Sequence, residues 1–224
     1  MHPIRAVLFD FDGLTLDTES PEYDSLAELY AAHGQVLLPE RWVQGLGTVG
    51  GYDAFAELAA LVGHDLDRAA LRERHHARFR ELIADQPLRP GITALLAHLQ
   101  AQGIARAVAS SSNRSWVEGW LVHYSIRPHF SVVRTSDDVA RVKPAPDLFL
   151  AAAEALGVPP AECLVLEDSP NGMRAALAAG MRCVAVPLPM VPEPLPPHTL
   201  RLRTLADLPP AEIIARAELA ATIA

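Results

Sequence analysis

Basic residues, cysteine and long apolar runs are all scarce in this chain of 224 residues, and each scarcity removes a class of protein. The 19 lysines and arginines are outnumbered by 27 aspartates and glutamates, leaving a formal charge of −8. Binders of nucleic acid or anionic membranes need basic patches to neutralise phosphates, so neither partner is expected. A phosphorylated small molecule stays open, because local rather than total charge governs binding in a cleft. The two cysteines, Cys163 and Cys183, fall in apolar runs where a free thiol behaves as a small hydrophobe, and no disulfide is expected. No apolar run approaches the ~20 residues that cross a bilayer. Met1-His2-Pro3 leads directly into a strand-like run rather than a basic-then-apolar leader, which predicts a cytoplasmic protein.

What the chain does contain is a set of polar residues at the ends of apolar stretches. Asp10 and Asp12 follow Ile4 to Phe9 and precede Gly13. Val108-Ala109-Ser110, Val142-Lys143-Pro144 and Leu166-Glu167-Asp168 repeat the pattern with a hydroxyl, an ammonium and a second acid pair. In an open parallel sheet the carboxyl ends of strands share one rim, and ligands bind where the strand order reverses. If the first strand persists to its end, Asp10 and Asp12 point the same way. Asp10, Asp12, Glu167 and Asp168 against Lys143 leave an excess of negative charge that a divalent cation would relieve, and all-oxygen ligands select a hard ion such as Mg²⁺. Asp-x-Asp-Gly alone also suits a turn or a calcium loop, but the rest of the calcium-loop spacing does not follow.

Such a set suits phosphoryl transfer, where positioning and charge neutralisation supply most of the rate. A carboxylate such as Asp10 can attack phosphorus, and a second at i+2, Asp12, can serve the leaving group and then water as acid and base. Ser110-Ser111-Ser112-Asn113 reads as a helix entrance, a place for caps and for anions. Ser110 is the leading phosphate ligand because it ends the strand Ile104 to Ala109; Ser111 is grouped with it, and Ser112 and Asn113 are weaker candidates. Pro144 and Pro146 restrict where the Lys143 ammonium can point.

Residues 20–84 carry helical periodicity, with Leu26, Leu29, Tyr30, Phe55, Leu58 and Val62 on the pattern, whereas strands and helices alternate after Pro90-Gly91. The expected architecture is α/β, a doubly wound parallel sheet with an inserted all-helical cap: core 1–15 and 87–224, cap 16–86. Gly45-Leu46-Gly47-Thr48-Val49-Gly50 satisfies the dinucleotide pattern G-x-G-x-x-G but follows helix-like residues rather than a strand, so a cap loop reaching toward substrate is expected instead. His75-His76 point about 100° apart on a helix and form no zinc pair; they are expected on the surface or in cap packing. Pro187 to Pro197 is expected to be a stiff connector toward Leu200-Arg201-Leu202.

Over nearly its whole length the chain resembles the haloacid dehalogenase-like superfamily, in the subfamily with a helical cap inserted after the first strand. The resemblance rests on Asp10-Phe11-Asp12-Gly13-Leu14, Asp17-Thr18-Glu19, Ser110, Lys143-Pro144-Ala145-Pro146-Asp147 and Glu167-Asp168-Ser169. It implies Asp10 as nucleophile, Asp12 as general acid and base, and Ser110 and Lys143 as phosphate ligands. Asp10, Asp12 through its carbonyl, and Asp168 are implied to hold Mg²⁺, with Glu167 behind them. Related dehalogenases lack the acid at the second position, phosphoryl-transferring pumps place Thr there, and phosphonate hydrolases add a cap lysine that Ser20 to Ala84 does not contain. A mutase similar to β-phosphoglucomutase is the nearest alternative. Such mutases use a cap histidine and a cap-loop arginine at positions occupied here by Glu22 and Thr48, and without the arginine the grip on a second phosphate is lost. The expectation is a Mg²⁺-dependent phosphatase acting on small sugar or polyol phosphomonoesters through an aspartyl phosphate, with Glu22 and Thr48 selecting the substrate. A non-catalytic phosphate-binding regulator or a phosphorelay receiver would not need the nucleophile and the acid together with a cap. A small phosphorylated metabolite is the expected partner, and a monomer or weak dimer the expected state.

Overall fold

The computed structural model describes residues 2–48, 52–191 and 193–219. Six strands, β1 (Ala6–Phe9), β2 (Ala105–Ala109), β3 (Val132–Arg134), β4 (Cys163–Glu167), β5 (Arg182–Ala185) and β6 (Leu200–Arg201), form one parallel sheet in the order β3-β2-β1-β4-β5-β6. β2 begins one residue after the expected Ile104, whose amide instead bonds the Leu99 carbonyl at 2.9 Å to close the preceding helix. The chain runs outward from β1 to β3 and then crosses to β4 on the other side of β1. The order therefore reverses between β1 and β4, where a parallel sheet opens a crevice at its carboxyl ends.

β1 is buried along its whole length, as a strand covered on both faces must be. Alternate residues serve two cores. Val7, Phe9, Leu164 and Leu166 meet α5 (Ile92–Ala101), α6 (Arg114–His123) and α9 (Pro210–Leu219) on one face. Ala6, Leu8, Cys163 and Val165 meet α7 (Asp147–Leu156) and α8 (Pro170–Ala178) on the other. Both cysteines are free and buried, as their apolar setting predicts.

Between β1 and α5 the chain forms α1 (Glu19–Ala31), α2 (Pro39–Trp42), α3 (Ala54–Val62) and α4 (Arg68–Ile83). Asp53 and Asp67 cap α3 and α4 by accepting two backbone N–H groups each, at 3.0 and 3.1 Å. Leu26, Leu29, Tyr30, Trp42, Phe55 and Leu58 give these helices a cluster of their own. The two chain crossings into and out of this helical insertion are stitched together: Leu16 pairs antiparallel with Leu88, and the Arg89 amide bonds the Thr15 carbonyl at 3.0 Å.

The proline-rich stretch does more than connect. Leu188 and Val191, both buried, join the cluster of the helical insertion, so the strap leaving β5 packs across to α1–α4. A turn, closed by the Val191 amide donating to the Leu188 carbonyl at 3.0 Å, brings these two apolar residues to that neighbour. Pro192 lies outside the described residues.

Candidate active site

The ladder continues one residue beyond β1, because the Asp10 amide bonds the Leu166 carbonyl at 3.1 Å. The strand itself stops at Phe9 and a turn over residues 13–15 follows, so strand pleat does not set the direction of Asp12. Thr15 ties that turn down, its hydroxyl donating to the Asp10 carbonyl at 2.7 Å and its amide to the Phe11 carbonyl at 2.9 Å. Gly13 sits at φ +80°, and a Cβ there would run into the Asp168 carboxylate. Glycine is required for both reasons.

Lys143 is buried and its ammonium donates to Asp10 Oδ1 and, at 2.7 Å, to Glu167 Oε1. The other oxygen of Glu167 accepts the Ser169 amide and hydroxyl, each at 3.0 Å. Gly172 leaves the space that carboxylate needs, since a Cβ there would overlap it. Glu167 is thus fully engaged, orienting Lys143 from behind. Lys143 is the only lysine among 19 basic residues, a compositional signal that singles it out in the sequence.

Asp168 is different. Both of its carboxylate oxygens are buried with no hydrogen-bond partner among the described residues, although a buried acid ordinarily has one. One oxygen from each of Asp168, Asp10 and Glu167 lies within 4.8 Å of the other two. Burial raises Asp10 to about 8 against the pull of Lys143, with Glu167 and Asp12 adding to the rise. Asp168 is raised well above the ordinary carboxylate range by burial and by Asp10 and Glu167. Burial opposes the charge on Lys143, but Asp10 and Glu167 outweigh it and keep the ammonium protonated. Crowded, desolvated carboxylates of this kind hold a proton unless a cation replaces it, and the all-oxygen donor set fits a hard divalent ion.

Asp12 faces the other way, toward the β2–α6 connection. Its Oδ2 accepts the Ser112 hydroxyl at 2.6 Å and the Ser110 hydroxyl at 3.2 Å, and its Oδ1 accepts the Trp116 indole N–H at 2.8 Å. Ser110 follows β2, as expected. The Ser111 hydroxyl is directed at the helical insertion, donating to the Gly47 carbonyl at 3.0 Å. Asn113 caps α6 by accepting the Trp116 amide at 2.9 Å. Ser112, the weaker candidate in the sequence, therefore makes the shorter contact to Asp12, and Trp116 joins it although its spacing signals only an apolar helix face.

These residues line a cavity of about 900 Å³ between the sheet rim and the helical insertion, with Asp10, Asp12, Ser110 and Ser111 on one wall and Glu22 and Thr48 on the other. Residues 49–51, the end of the expected glycine loop, lie outside the described residues. What precedes that loop is α2 and a short 3₁₀ turn, Val43–Gly45, so no strand supports a dinucleotide site. Instead Asn171 Nδ2 donates to the Leu46 carbonyl at 2.8 Å, and the loop docks on the start of α8. Glu22 is raised to about 7 by burial and by Asp12. Glu19, which the sequence offered only as part of a motif, is also buried beside the site. It is raised well above its usual range by burial, Glu22 and Asp168. His75 is buried in cap packing as expected, bonded to Ser25 Oγ at 2.7 Å, while His76 is exposed.

A parallel sheet with acids at its switch point, a buried lysine and a helical insertion after β1 defines a class of α/β hydrolase. Residues 4–180 match the family of haloacid dehalogenase-like hydrolases, and the chain belongs to that family. It is 44% identical over 184 residues to YhcW of Bacillus subtilis, named as a phosphatase, covering 82% of this chain and 84% of that protein. It is 34% identical over 190 residues to hexitol phosphatase B of Escherichia coli, covering 83% and 85% of the two chains. The crystal structure of CbbY from Rhodobacter sphaeroides in complex with phosphate superposes with a TM-score of 0.70 at 33% identity, covering 91% of this chain and 96% of that one. Among the described residues no helix is long and apolar enough to cross a membrane.

Proposed function

We propose that this protein is a Mg²⁺-dependent cytoplasmic phosphatase of small sugar or polyol phosphomonoesters. Residues 1–15 and 87–224 serve as the catalytic core and 16–86 as the cap. One observation carries the reading: Asp10, locked to Lys143, and Asp12, held by Ser110, Ser112 and Trp116, share one cavity wall. A nucleophile and a separate acid are thereby within reach of one phosphoryl group. The name of the relative YhcW supports a phosphatase, and that of hexitol phosphatase B supports the substrate class.

In the first step an Asp10 carboxylate oxygen forms a bond to phosphorus as the ester P–O bond breaks, and the departing alkoxide takes a proton from Asp12. In the second, water gives a proton to Asp12 and its oxygen bonds phosphorus as the acyl-phosphate P–O bond breaks. Asp10 is regenerated and inorganic phosphate leaves. Lys143 and the Ser110 hydroxyl bind the phosphoryl oxygens, and Ser111 contributes where its bond to Gly47 opens. Asp10, the Asp12 carbonyl and Asp168 would hold Mg²⁺, which when bound neutralises phosphoryl charge. Glu22 and Thr48 select the leaving group from the cap side. A mutase would need a grip on a second phosphate. The one arginine lining the cavity among the described residues, Arg72, is half-exposed, lies over the Phe55 ring and faces Asp53 at 3.6 Å.

Acid quenching during turnover of a ³²P-labelled hexitol phosphate should leave label on Asp10. Asp10→Asn should carry no label and lose activity by about 10⁴-fold. Undiminished turnover by Asp10→Asn, or full turnover in excess chelator, would sink the proposal.

A further inference from the structure

Both oxygens of Asp12 are taken by uncharged donors, and one of those donors is Trp116. Its indole N–H meets Oδ1 at 2.8 Å, while the Ser112 and Ser110 hydroxyls meet Oδ2 at 2.6 and 3.2 Å. The two oxygens are not equivalent. An indole N–H only donates, whereas a serine hydroxyl can turn and accept. A protonated Asp12 can therefore keep all of its contacts only with the proton on Oδ2. A proton on Oδ1 would oppose the indole N–H and drive the carboxyl out of place.

The indole is itself held. Phe79 of α4 stacks on it with ring centroids 5.8 Å apart and planes at 28°, and Trp120 meets it edge-on at 5.6 Å. Phe79 stacks in turn on His75 at 6.1 Å and 26°, and the His75 Nδ1 bonds Ser25 of α1. A file of rings thus runs from the helical insertion to the Asp12 carboxylate, crossing the boundary between insertion and core at the Phe79–Trp116 contact. A helix that only covered the cavity would need no stacked partner on an acid's hydrogen-bond donor.

We propose that Trp116 is a positioning residue for Asp12, fixing its carboxylate orientation and reserving Oδ2 for the proton passed to the leaving group, and that Phe79 ties this setting to the placement of α4. The inference rests on the reading of Asp12 as general acid and base. It predicts an effect that depends on the leaving group, because p-nitrophenolate departs without a proton and an alkoxide does not. Benzyl and p-nitrophenyl phosphate have rings of similar size and differ in that need. In Trp116→Phe, which keeps the stack and removes the N–H, the benzyl to p-nitrophenyl ratio of kcat/KM should fall about ten-fold. Phe79→Leu, which keeps the N–H and removes the stack, should lower the ratio about three-fold, and Asp12→Asn about 100-fold. Equal losses on both esters in Trp116→Phe would make Trp116 a packing residue and overturn the inference. If Asp12→Asn leaves the ratio unchanged, the acid–base reading itself fails, whatever Trp116 does. The ¹⁵N-indole spectrum supplies a readout independent of turnover and of any substitution at Trp116: the Trp116 Nε1–H signal should move in Asp12→Ala while those of Trp42 and Trp120 stay. An unmoved Trp116 signal would also overturn the inference.

Discussion

On the core wall of the cavity, polar side chains hold one another: Lys143 spans Asp10 and Glu167, Ser169 fixes Glu167, and Asp12 takes three donors. On the insertion wall rings dominate, with Trp42, Tyr52, Phe55 and Phe79 facing the cavity, and the polar contacts there, among them Ser25–His75, Tyr52–Glu57 and the Asp53 cap of α3, bind the insertion to itself. The contrast follows from what each wall would meet. A phosphoryl group is the same in every phosphomonoester, so its surroundings can be built in advance and cross-braced. A leaving group varies, and apolar surface with a few polar groups accepts variety at little desolvation cost.

The sharpest way to break this contrast is at Lys143. Methionine in its place fills similar volume but leaves Asp10 and Glu167 buried without their shared cation, and breaking a buried ion pair costs about 4 kcal/mol. Denaturant unfolding of Lys143→Met should show a loss of that order alongside loss of activity. A midpoint like that of the wild type would mean that the core wall is not braced through Lys143. Arginine should not rescue it, because a planar fork does not fit a site shaped around a compact ammonium.

The insertion wall has its own polar weak point in His75, and pH exposes it. Burial, His76 and Arg72 lower this imidazole to about 4 from its ordinary 6.5. Between those values the unfolded chain binds a proton that the folded one refuses, so acidification favours unfolding. The contribution of His75 is neutral above about pH 6.5 and costs up to about 3 kcal/mol as pH falls toward 4. The stability difference between wild type and His75→Phe, followed from pH 7 to 4, should drift against the wild type by that amount. A flat difference would place His75 in contact with water.

The two walls were not equally legible in the sequence. Strand ends carrying Asp10, Ser110 and Asp168 stand out because a polar residue after an apolar run is local information, and a parallel sheet converts those ends into one rim, whereas Lys143 reaches the same rim from the connection between β3 and α7 rather than from a strand end. The helical nature of 20–84 was legible for the same reason, through periodicity. What periodicity cannot report is which faces meet across distance. Trp116 reads as one more apolar residue of α6 because only the turn after β1 brings Asp12 to its N–H. Leu188 and Val191 sit in a stretch without period, so nothing local assigns them to the cluster of the insertion. Glu19 is invisible as a buried acid until α1 folds over Gly13. A common direction for Asp10 and Asp12 was expected if the first strand persisted, but β1 stops at Phe9 and the two carboxylates meet different partners, Lys143 for Asp10 and Ser110, Ser112 and Trp116 for Asp12.

Selection by the insertion wall gives the smallest effect and the finest test of the comparison. Glu22 is a half-buried acid beside Asp12 on the cavity, and Thr48 stands where a mutase would carry its arginine. A negative or neutral wall disfavours a second phosphate, since like charges in a desolvated cleft repel more strongly than in water. Glu22→Gln removes the repulsion and keeps the shape, and Thr48→Arg adds a phosphate grip. Each should raise kcat/KM for a hexose bisphosphate relative to the hexose monophosphate by about ten-fold, the double variant by more. The acyl phosphate on Asp10 should still be trapped in all three, because Lys143 and Asp12 are held by core residues that these changes do not touch. If the ratio stays fixed while both rates fall together, the insertion wall is a lid without discrimination, and selection must come from the core.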